Sequence, residues 1–427
     1  MIRSHYSYQI PKKDGVIVKV AGFVETVRDI GKITFLILRD RYGTIQVTSK
    51  DENLCDKIRK LSNESFISVE GRVSLNKEAR NGFEIFPINI EVLNEAAKPL
   101  PLDISGKIES TLEKRIDWRF VDMKNLKNMG IFILQSEIVR AFTEFMHENN
   151  FVRIFASRLT DAATEGGADY FSVNYFDKKA YLAQSPQLYK EAILVSGIDR
   201  VYDIGFVYRA EPHHTPRHLC EYASFDIEMV CEDLEEILEM CEGLMNYTFK
   251  KLNERCENIL KLYNVELKAP KKIPRITFEE ANKILLELGV KIDKNDLTPE
   301  GEKKICEYSK DNFDSSLVFI TEFPFTKKPF YLMRKGENLT YSFDMLFNGL
   351  ELSSGGIREH RYEERVKNIL AKGLKPEDYD HLRFWKYGMP PHGGFAIGIE
   401  RLTMQILGLK NVREATLLPR DPDRLNP

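Results

Sequence analysis

Short runs in which apolar and polar residues alternate crowd the first part of the chain: VIVKVAGF (16–23), KITFLILRD (32–40), TIQVT (44–48), SFISVEGRV (65–73) and GFEIFPINIEVL (82–93). Alternation at period two marks a strand with one buried face, so these runs predict five strands. Asp51 to Leu61, between the third and the fourth, reads as a helix. The proline-rich KPLPLD (98–103) then breaks the pattern. Ile131 to Asn149 has helical spacing, with Ile133, Ile138, Phe142, Phe145 and Met146 supplying most of an apolar stripe. A second long helix is expected from Asp233 to about Asn253. Residues 254–330 are more charged, contain a capping-box start at Thr277 with Glu280, and read as an insertion with little chemical signal. The last hundred residues return to strands and end in PHGGFAIGIERLTMQILGL, a buried strand entering a helix.

Five strands with a helix after the third is the layout of an OB-type barrel, a fold that commonly binds single-stranded nucleic acid. The expected division is a barrel at 1–97, a linker at 98–127 and a larger domain at 128–427 carrying the insertion around 254–330. Antiparallel-looking strands mixed with helices make the fold class α+β.

Composition narrows the function. The 427 residues are 43% hydrophobic, ample for a packed core, and 62 Lys and Arg against 65 Asp and Glu exclude a polycation, so any RNA contact has to be local. Six cysteines include no CxxC pair and no finger-like spacing with histidine, which argues for reduced thiols and against a structural zinc. The N-terminus lacks an apolar signal segment and no stretch reaches the length of a membrane span, so a cytoplasmic protein with no membrane partner is expected.

The chemistry concentrates in FVYRAEPHHTPRHLCEYASFDIEM (206–229). Arg209 and Glu211 lie two apart on one strand face, residues 212–216 turn the chain, and Glu221 to Met229 returns, presenting Arg209, His218 and Tyr222 to one pocket. A guanidinium able to bridge a phosphate and a carboxylate, beside a ring that can stack on a purine, suits a carboxylate-activating site that consumes ATP. Asp344 and Glu351 in SFDMLFNGLELSSGG are seven apart, so the FNG between them has to turn the chain if they are to converge and hold magnesium. In AQSPQLYK, Gln187 can receive an α-ammonium and Lys190 a side-chain carboxylate, with Arg358 a second cation for that carboxylate. Arg401, where the last strand meets its helix, can reach a polyphosphate. Each element alone has an ordinary alternative: solvated hairpin charges, solvated acids, a structural ion pair for Arg401, surface positions for Lys190 and Arg358.

Together the segments ATEGGADYF, QSPQLYK, FVYRAE, LELSSGGIREH, KYGMPPHGGF and LLPRDPDRLNP, with the barrel before them, resemble the class II aminoacyl-tRNA synthetases, specifically the aspartyl enzymes of the archaeal and eukaryotic type. FVYRAE with its return strand resembles motif 2 and AIGIER resembles motif 3. The resemblance implies an N-terminal anticodon-binding barrel, a catalytic domain on an antiparallel sheet flanked by helices, and ATP-dependent ligation of L-aspartate to tRNA(Asp). It implies that Arg209 bridges the α-phosphate and the amino-acid carboxylate, that Tyr222 stacks on adenine, and that His218 and Arg401 reach the γ-phosphate, with Glu211, Leu219 and Glu351 also in the ATP set. Asp344 and Glu351 would hold Mg2+. Glu165 and Gln187 would receive the α-ammonium, while Arg358 and Lys190, braced by Asp226, would read the side-chain carboxylate. In the barrel, Arg28, Phe35, Gln46 and Glu84 match anticodon contacts.

The chain departs from that pattern in three places: Ser157 stands where motif 1 usually has proline, Phe23 follows Gly22 in place of tryptophan, and Trp118 stands where asparagine is common. A homodimer is expected from the resemblance and from the apolar stripe of Ile131–Asn149. Glu25, two after Phe23, is neither the large aromatic of strict members nor the imidazole of relaxed ones, and its acceptor oxygens lead to an expectation of relaxed recognition that includes tRNA(Asn). Two other readings stay open, an asparaginyl enzyme of the same architecture and an RNA-binding or amidotransferase-like paralogue that has lost aminoacylation.

Overall fold

The alternation of the first ninety residues closes on itself. In a computed structural model, which describes residues 1–161, 170–212, 215–269 and 272–426, strands β1 (Ile17–Asp29), β2 (Thr34–Arg39), β3 (Thr44–Ser49), β4 (Phe66–Leu75) and β5 (Phe83–Asn94) form a closed barrel in the order β1-β2-β3-β5-β4. Val20, Leu36, Leu38, Val47 and Ile67 fill its interior. The helix Glu52–Arg59 separates β3 from β4, its first turn capped by Asp51, which accepts from the Leu54 amide at 3.0 Å. β1 runs six residues past the alternating stretch because its pairing with β2 slips between Val24 and Thr26, leaving Glu25 as a bulge that breaks the period.

The chain divides into two units, Met1–Pro101 and Leu102–Pro427. Among its described residues the second unit is built on an eight-stranded sheet. Its strands are β6 (Val152–Arg153), β10 (Arg200–Tyr208), β11 (Glu221–Val230), β12 (Arg275–Thr277), β13 (Leu317–Thr321), β16 (Ser342–Phe347), β17 (Leu350–Ile357) and β18 (His392–Gly398), in the order β12-β13-β16-β17-β18-β11-β10-β6. Small accessory sheets contain β7 (Leu159–Thr160), β8 (Ser172–Tyr175) and β9 (Lys178–Leu182), and β14 (Arg334–Lys335) with β15 (Leu339–Thr340). The main sheet is mixed where an antiparallel one was expected: its six central strands are antiparallel, but β6 runs parallel to β10 and β12 to β13. A parallel pair needs a long crossover, and the helices Phe278–Glu287 and Pro299–Phe313 supply it between β12 and β13.

Helices Leu126–Glu148, Leu234–Arg255 and Ile399–Leu407 pack on the sheet around Phe142, Phe225, Phe249, Phe343 and Phe395, all fully buried. Two expectations change here. The stripe of the first long helix is Ile131, Leu134, Ile138, Phe142 and Met146, and it is spent on this chain's own core, so it gives no argument for a second copy. Residues 254–330, read as an insertion with little signal, contribute to the main sheet, since β12 and β13 extend it and Phe278, Leu285, Ile305 and Val318 form a core with Leu346 of β16.

Candidate functional site

β10 and β11 pair from Arg200↔Met229 to Tyr208↔Glu221, and the Arg209 amide extends the ladder by donating to the Cys220 carbonyl at 2.9 Å. The hairpin therefore holds Arg209 and Tyr222 side by side, with the guanidinium carbon 5.9 Å from the ring centroid. Arg209, Glu211, His218, Leu219, Tyr222, Glu351 and Arg401 all line one cavity of about 130 Å³. His218 is a hydrogen-bond partner of the Thr215 hydroxyl through Nδ1 and stands 3.8 Å from Glu211 through Nε2. Burial holds this imidazole below its ordinary value, with Glu211 opposing and Arg401 and Arg217 adding to the effect. Arg401, in the first turn of the last helix, donates from Nε to the Arg217 carbonyl and from Nη1 to the Glu351 carbonyl, both at 3.2 Å.

The two candidate metal carboxylates meet through a bulge that spacing alone does not disclose. Asn348 and Gly349, with φ of 49° and 87°, turn β16 into β17. A regular ladder from Asp344↔Ser354 would pair Glu351 with Phe347, on the core face. The register instead slips past Met345, and Glu351 pairs with Leu346, on the same face as Asp344. Asp344 is buried and receives a hydrogen bond from Lys328 Nζ, itself buried and 4.1 Å from the Phe323 ring centroid. Burial pushes the Asp344 carboxyl up to about 6; Lys328 opposes the shift and Glu351 adds to it. Two oxygen-ligand groups on one face, Glu351 disfavouring the charge of Asp344, fit a divalent cation such as magnesium.

At the other end of β11 the candidate amino-acid residues come together. Lys190, on the helix Gln187–Ala192, is buried, and its Nζ lies 3.1 Å from Asp226 Oδ1, 3.2 Å from the Ile227 carbonyl and 3.4 Å from Glu228 Oε2. Arg358, just past β17, donates from Nε to Glu228 Oε1 at 2.9 Å and from Nη2 to Oε2 at 3.4 Å. Glu228 takes only part of that guanidinium's five-donor capacity. Asp226 is fixed by the Ser224 hydroxyl, and Gln187 donates through Nε2 to Glu191 at 2.8 Å, which leaves the amide oxygen as its acceptor. Glu165 lies outside the described residues.

Sequence reasoning missed Glu228, although it follows Asp226 by two on an alternating strand and so had to share its face. It also missed Lys328 in the charged segment read as an insertion, Glu191, which binds Gln187 and Arg365, and Glu400, whose carboxylate accepts from the Ala223 amide at 3.1 Å. Gly394 of β18 makes room for Glu228: a Cβ there would stand 2.6 Å from Glu228 Oε2 and 2.1 Å from the Ile227 carbonyl oxygen.

In the barrel, register places the candidate anticodon residues on one outer face. Arg28 pairs with Phe35, Phe35 with Thr48, and Ile37 with Gln46. Gln46 donates to Glu84 at 3.0 Å, and Asn76 donates to the other oxygen of that carboxylate at 2.9 Å. Phe35 is half-buried and Arg28 exposed. Glu25 lies 3.8 Å from Arg39, which also pairs with Glu64 at 2.8 Å.

No described helix is long and apolar enough to cross a membrane. Residues 111–422 match the family described as tRNA synthetases class II (D, K and N), and residues 18–93 match the OB-fold nucleic acid binding domain. The chain is 44% identical over 438 residues to the aspartate–tRNA(Asp) ligase of Pyrococcus abyssi and 43% identical over 436 residues to the aspartate–tRNA(Asp/Asn) ligase of Methanopyrus kandleri, each comparison covering 100% of both chains. Among solved structures it is similar to asparaginyl-tRNA synthetase from Pyrococcus horikoshii complexed with asparaginyl-adenylate, with a TM-score of 0.94 and 31% identity over 100% of both chains. It is also similar to the aspartyl tRNA synthetase from Entamoeba histolytica, with a TM-score of 0.87 and 30% identity, covering 98% of this chain and 91% of that one.

Proposed function

The chain belongs to the class II tRNA synthetases, and from that premise we propose how its residues attach L-aspartate to tRNA(Asp) with ATP, through an aspartyl-adenylate. Adenine stacks on Tyr222, while Leu219 and Glu211 line its binding site. Arg209 bridges the α-phosphate and the aspartate α-carboxylate, which brings two mutually repelling anions into reach. His218 and Arg401 take the γ-phosphate end. A carboxylate oxygen of aspartate attacks the α-phosphorus in line, the bond to the bridging oxygen breaks, and pyrophosphate leaves with its electron pair. A hydroxyl of the terminal ribose of tRNA then attacks the aspartyl carbonyl, and AMP departs. No side-chain nucleophile takes part. Asp344 and Glu351 would hold magnesium, which supplies positive charge to the phosphates.

The observation that carries the choice of amino acid is the convergence of two buried cations, Lys190 and Arg358, beside the hairpin that carries Arg209. Aspartate presents a carboxylate, and asparagine a neutral amide, to the donors that Lys190 and Arg358 keep beyond their pairing with Asp226 and Glu228, so charge-assisted bonds favour the first. Gln187 and Glu165 receive the α-ammonium. In the barrel, Phe35 stacks on an anticodon base while Gln46, oriented by Glu84, and Arg28 contact its neighbours. Glu25 beside Arg39 favours relaxed recognition, so that tRNA(Asn) is also charged. The reaction takes place in the cytoplasm, where the six unpaired thiols suit a reducing medium.

The protein works as a homodimer. Among the described residues β6 ends the main sheet, and Phe155 just beyond it is 84% exposed, a combination suited to a second copy. Light scattering should give about twice 49.5 kDa, and a monomer at micromolar concentration would remove this element. The function as a whole is tested by pyrophosphate exchange into ATP with aspartate and with asparagine, followed by aminoacylation of tRNA(Asp). Exchange supported equally by the two amino acids would overturn the assignment of Lys190 and Arg358.

A further inference from the structure

Arg217 lines the same cavity as Arg209, His218 and Arg401, but its side chain is already occupied: Nη1 lies 2.8 Å from Oε2 of Glu302. Glu302 comes from the first turn of the helix Pro299–Phe313, in the segment read from the sequence as an insertion with little chemical signal. Its side chain is 13% exposed, and the charged groups acting on it are Arg217, Arg401 and Glu351. The backbone of Arg217 is pinned independently, because its carbonyl accepts from Arg401 Nε and the Pro216 carbonyl accepts from the Val412 amide at 2.8 Å. The loop therefore does not depend on Glu302 for its place. What Glu302 fixes is the guanidinium.

We propose that Glu302 is an internal stand-in for the triphosphate: it holds Arg217 while the cavity is empty and yields it to phosphate oxygens when ATP or pyrophosphate binds. The proposal rests on the cavity being the ATP site. A phosphate offers a guanidinium the same forked pairing as a carboxylate with more charge, so the exchange is favourable. The carboxylate is also poorly held where it stands. Burial and Glu351 oppose its charge, which Arg217 and Arg401 only partly offset. Glu302 is thus a positioning residue, which keeps a cation arranged between turnovers at some cost to ligand affinity.

The test is equilibrium titration of the full-length protein with inorganic pyrophosphate, ATP and adenosine, together with the KM for ATP and kcat in pyrophosphate exchange. Glu302→Gln removes the competing anion at nearly constant shape. It should tighten pyrophosphate and ATP binding about two- to fivefold, the worth of a partly exposed ion pair, and leave adenosine unchanged. The KM for ATP should fall in step, with kcat equal or lower because pyrophosphate leaves more slowly. Glu302→Asp keeps the charge and should restore wild-type affinity. In an Arg217→Ala background, Glu302→Gln should have no effect on pyrophosphate binding. Unchanged or weaker pyrophosphate binding in Glu302→Gln, or the same gain without Arg217, overturns the exchange. A wild-type protein that binds adenosine but neither ATP nor pyrophosphate would instead remove the phosphate-site reading, and the inference with it.

Discussion

Lys190 and Arg358 share one carboxylate: Glu228 accepts from the guanidinium at 2.9 Å on Oε1 and lies 3.4 Å from the ammonium on Oε2. Glu228 is fully buried, so the two cations are held in place before any substrate arrives.

Arg358→Leu should raise the aspartate requirement far more than the ATP requirement. Leucine leaves the substrate carboxylate facing Lys190 alone, and truncating one partner of a buried charge pair in a binding site costs roughly 2–5 kcal/mol, about thirtyfold or more in the KM for aspartate. Apparent constants for both substrates in pyrophosphate exchange are the check. If the two move together, Arg358 is structural.

Arg209→Ala should abolish adenylate formation and leave the fold intact, because the guanidinium lies on the cavity wall beside Tyr222 and not in the sheet's core. Losing a contact made to developing charge costs about 3 kcal/mol or more. Near-normal exchange with an unchanged melting temperature would remove the hairpin from the chemistry.

Asp344→Asn should raise the magnesium concentration needed for half-maximal exchange by about tenfold, roughly 1.4 kcal/mol. One of two converging carboxylates is lost, while Lys328 and Ser354 keep a hydrogen-bonding partner. An unaltered magnesium titration would show that Glu351 acts without it.

Glu400 makes stability depend on pH. Its carboxyl, pushed up to about 7 by burial, binds a proton in the folded chain between pH 4.5 and 7 where an unfolded carboxyl does not. Stability therefore falls as pH rises through that window, by about 3 kcal/mol in all at roughly 1.4 kcal/mol per unit. Glu400→Gln should gain on the wild type between pH 5 and pH 8 in ligand-free denaturant melts. A constant difference across that range would contradict the assignment.

Aspartate should be transferred to tRNA(Asn) as well as tRNA(Asp). The two transcripts charged side by side decide it, and a preference above roughly a hundredfold, about 2.7 kcal/mol, would restore strict recognition.

The hairpin was legible because it follows a local rule, alternation setting the faces of β10 and β11; that Leu219, Glu351 and Arg401 join it around one cavity was implied by the resemblance and not by periodicity. The barrel was legible for the same reason, up to Glu25, where the bulge ends the alternation. What stayed hidden depends on distant parts of the chain. The FNG turn could be read, but the slip that swings Glu351 onto the face of Asp344 is a property of the pairing with β16 and leaves no mark in composition. Lys328 and Glu302 look like surface charges in a charged stretch, and only the packing of β12 and β13 onto the sheet turns them inward. The long helix gave its periodicity correctly but not its partner, since an apolar stripe says that something covers it and not what.

Gly394 limits how this chain's substrate choice can change. A single methyl there would collide with the backbone of the neighbouring strand as well as with Glu228. Gly394 is thus closed to any larger residue without a shift of β11. Under the proposed reading, a descendant with another amino-acid preference would reach it at residues other than Gly394, and exchange of Lys190 or Arg358 would change charge and so change preference abruptly.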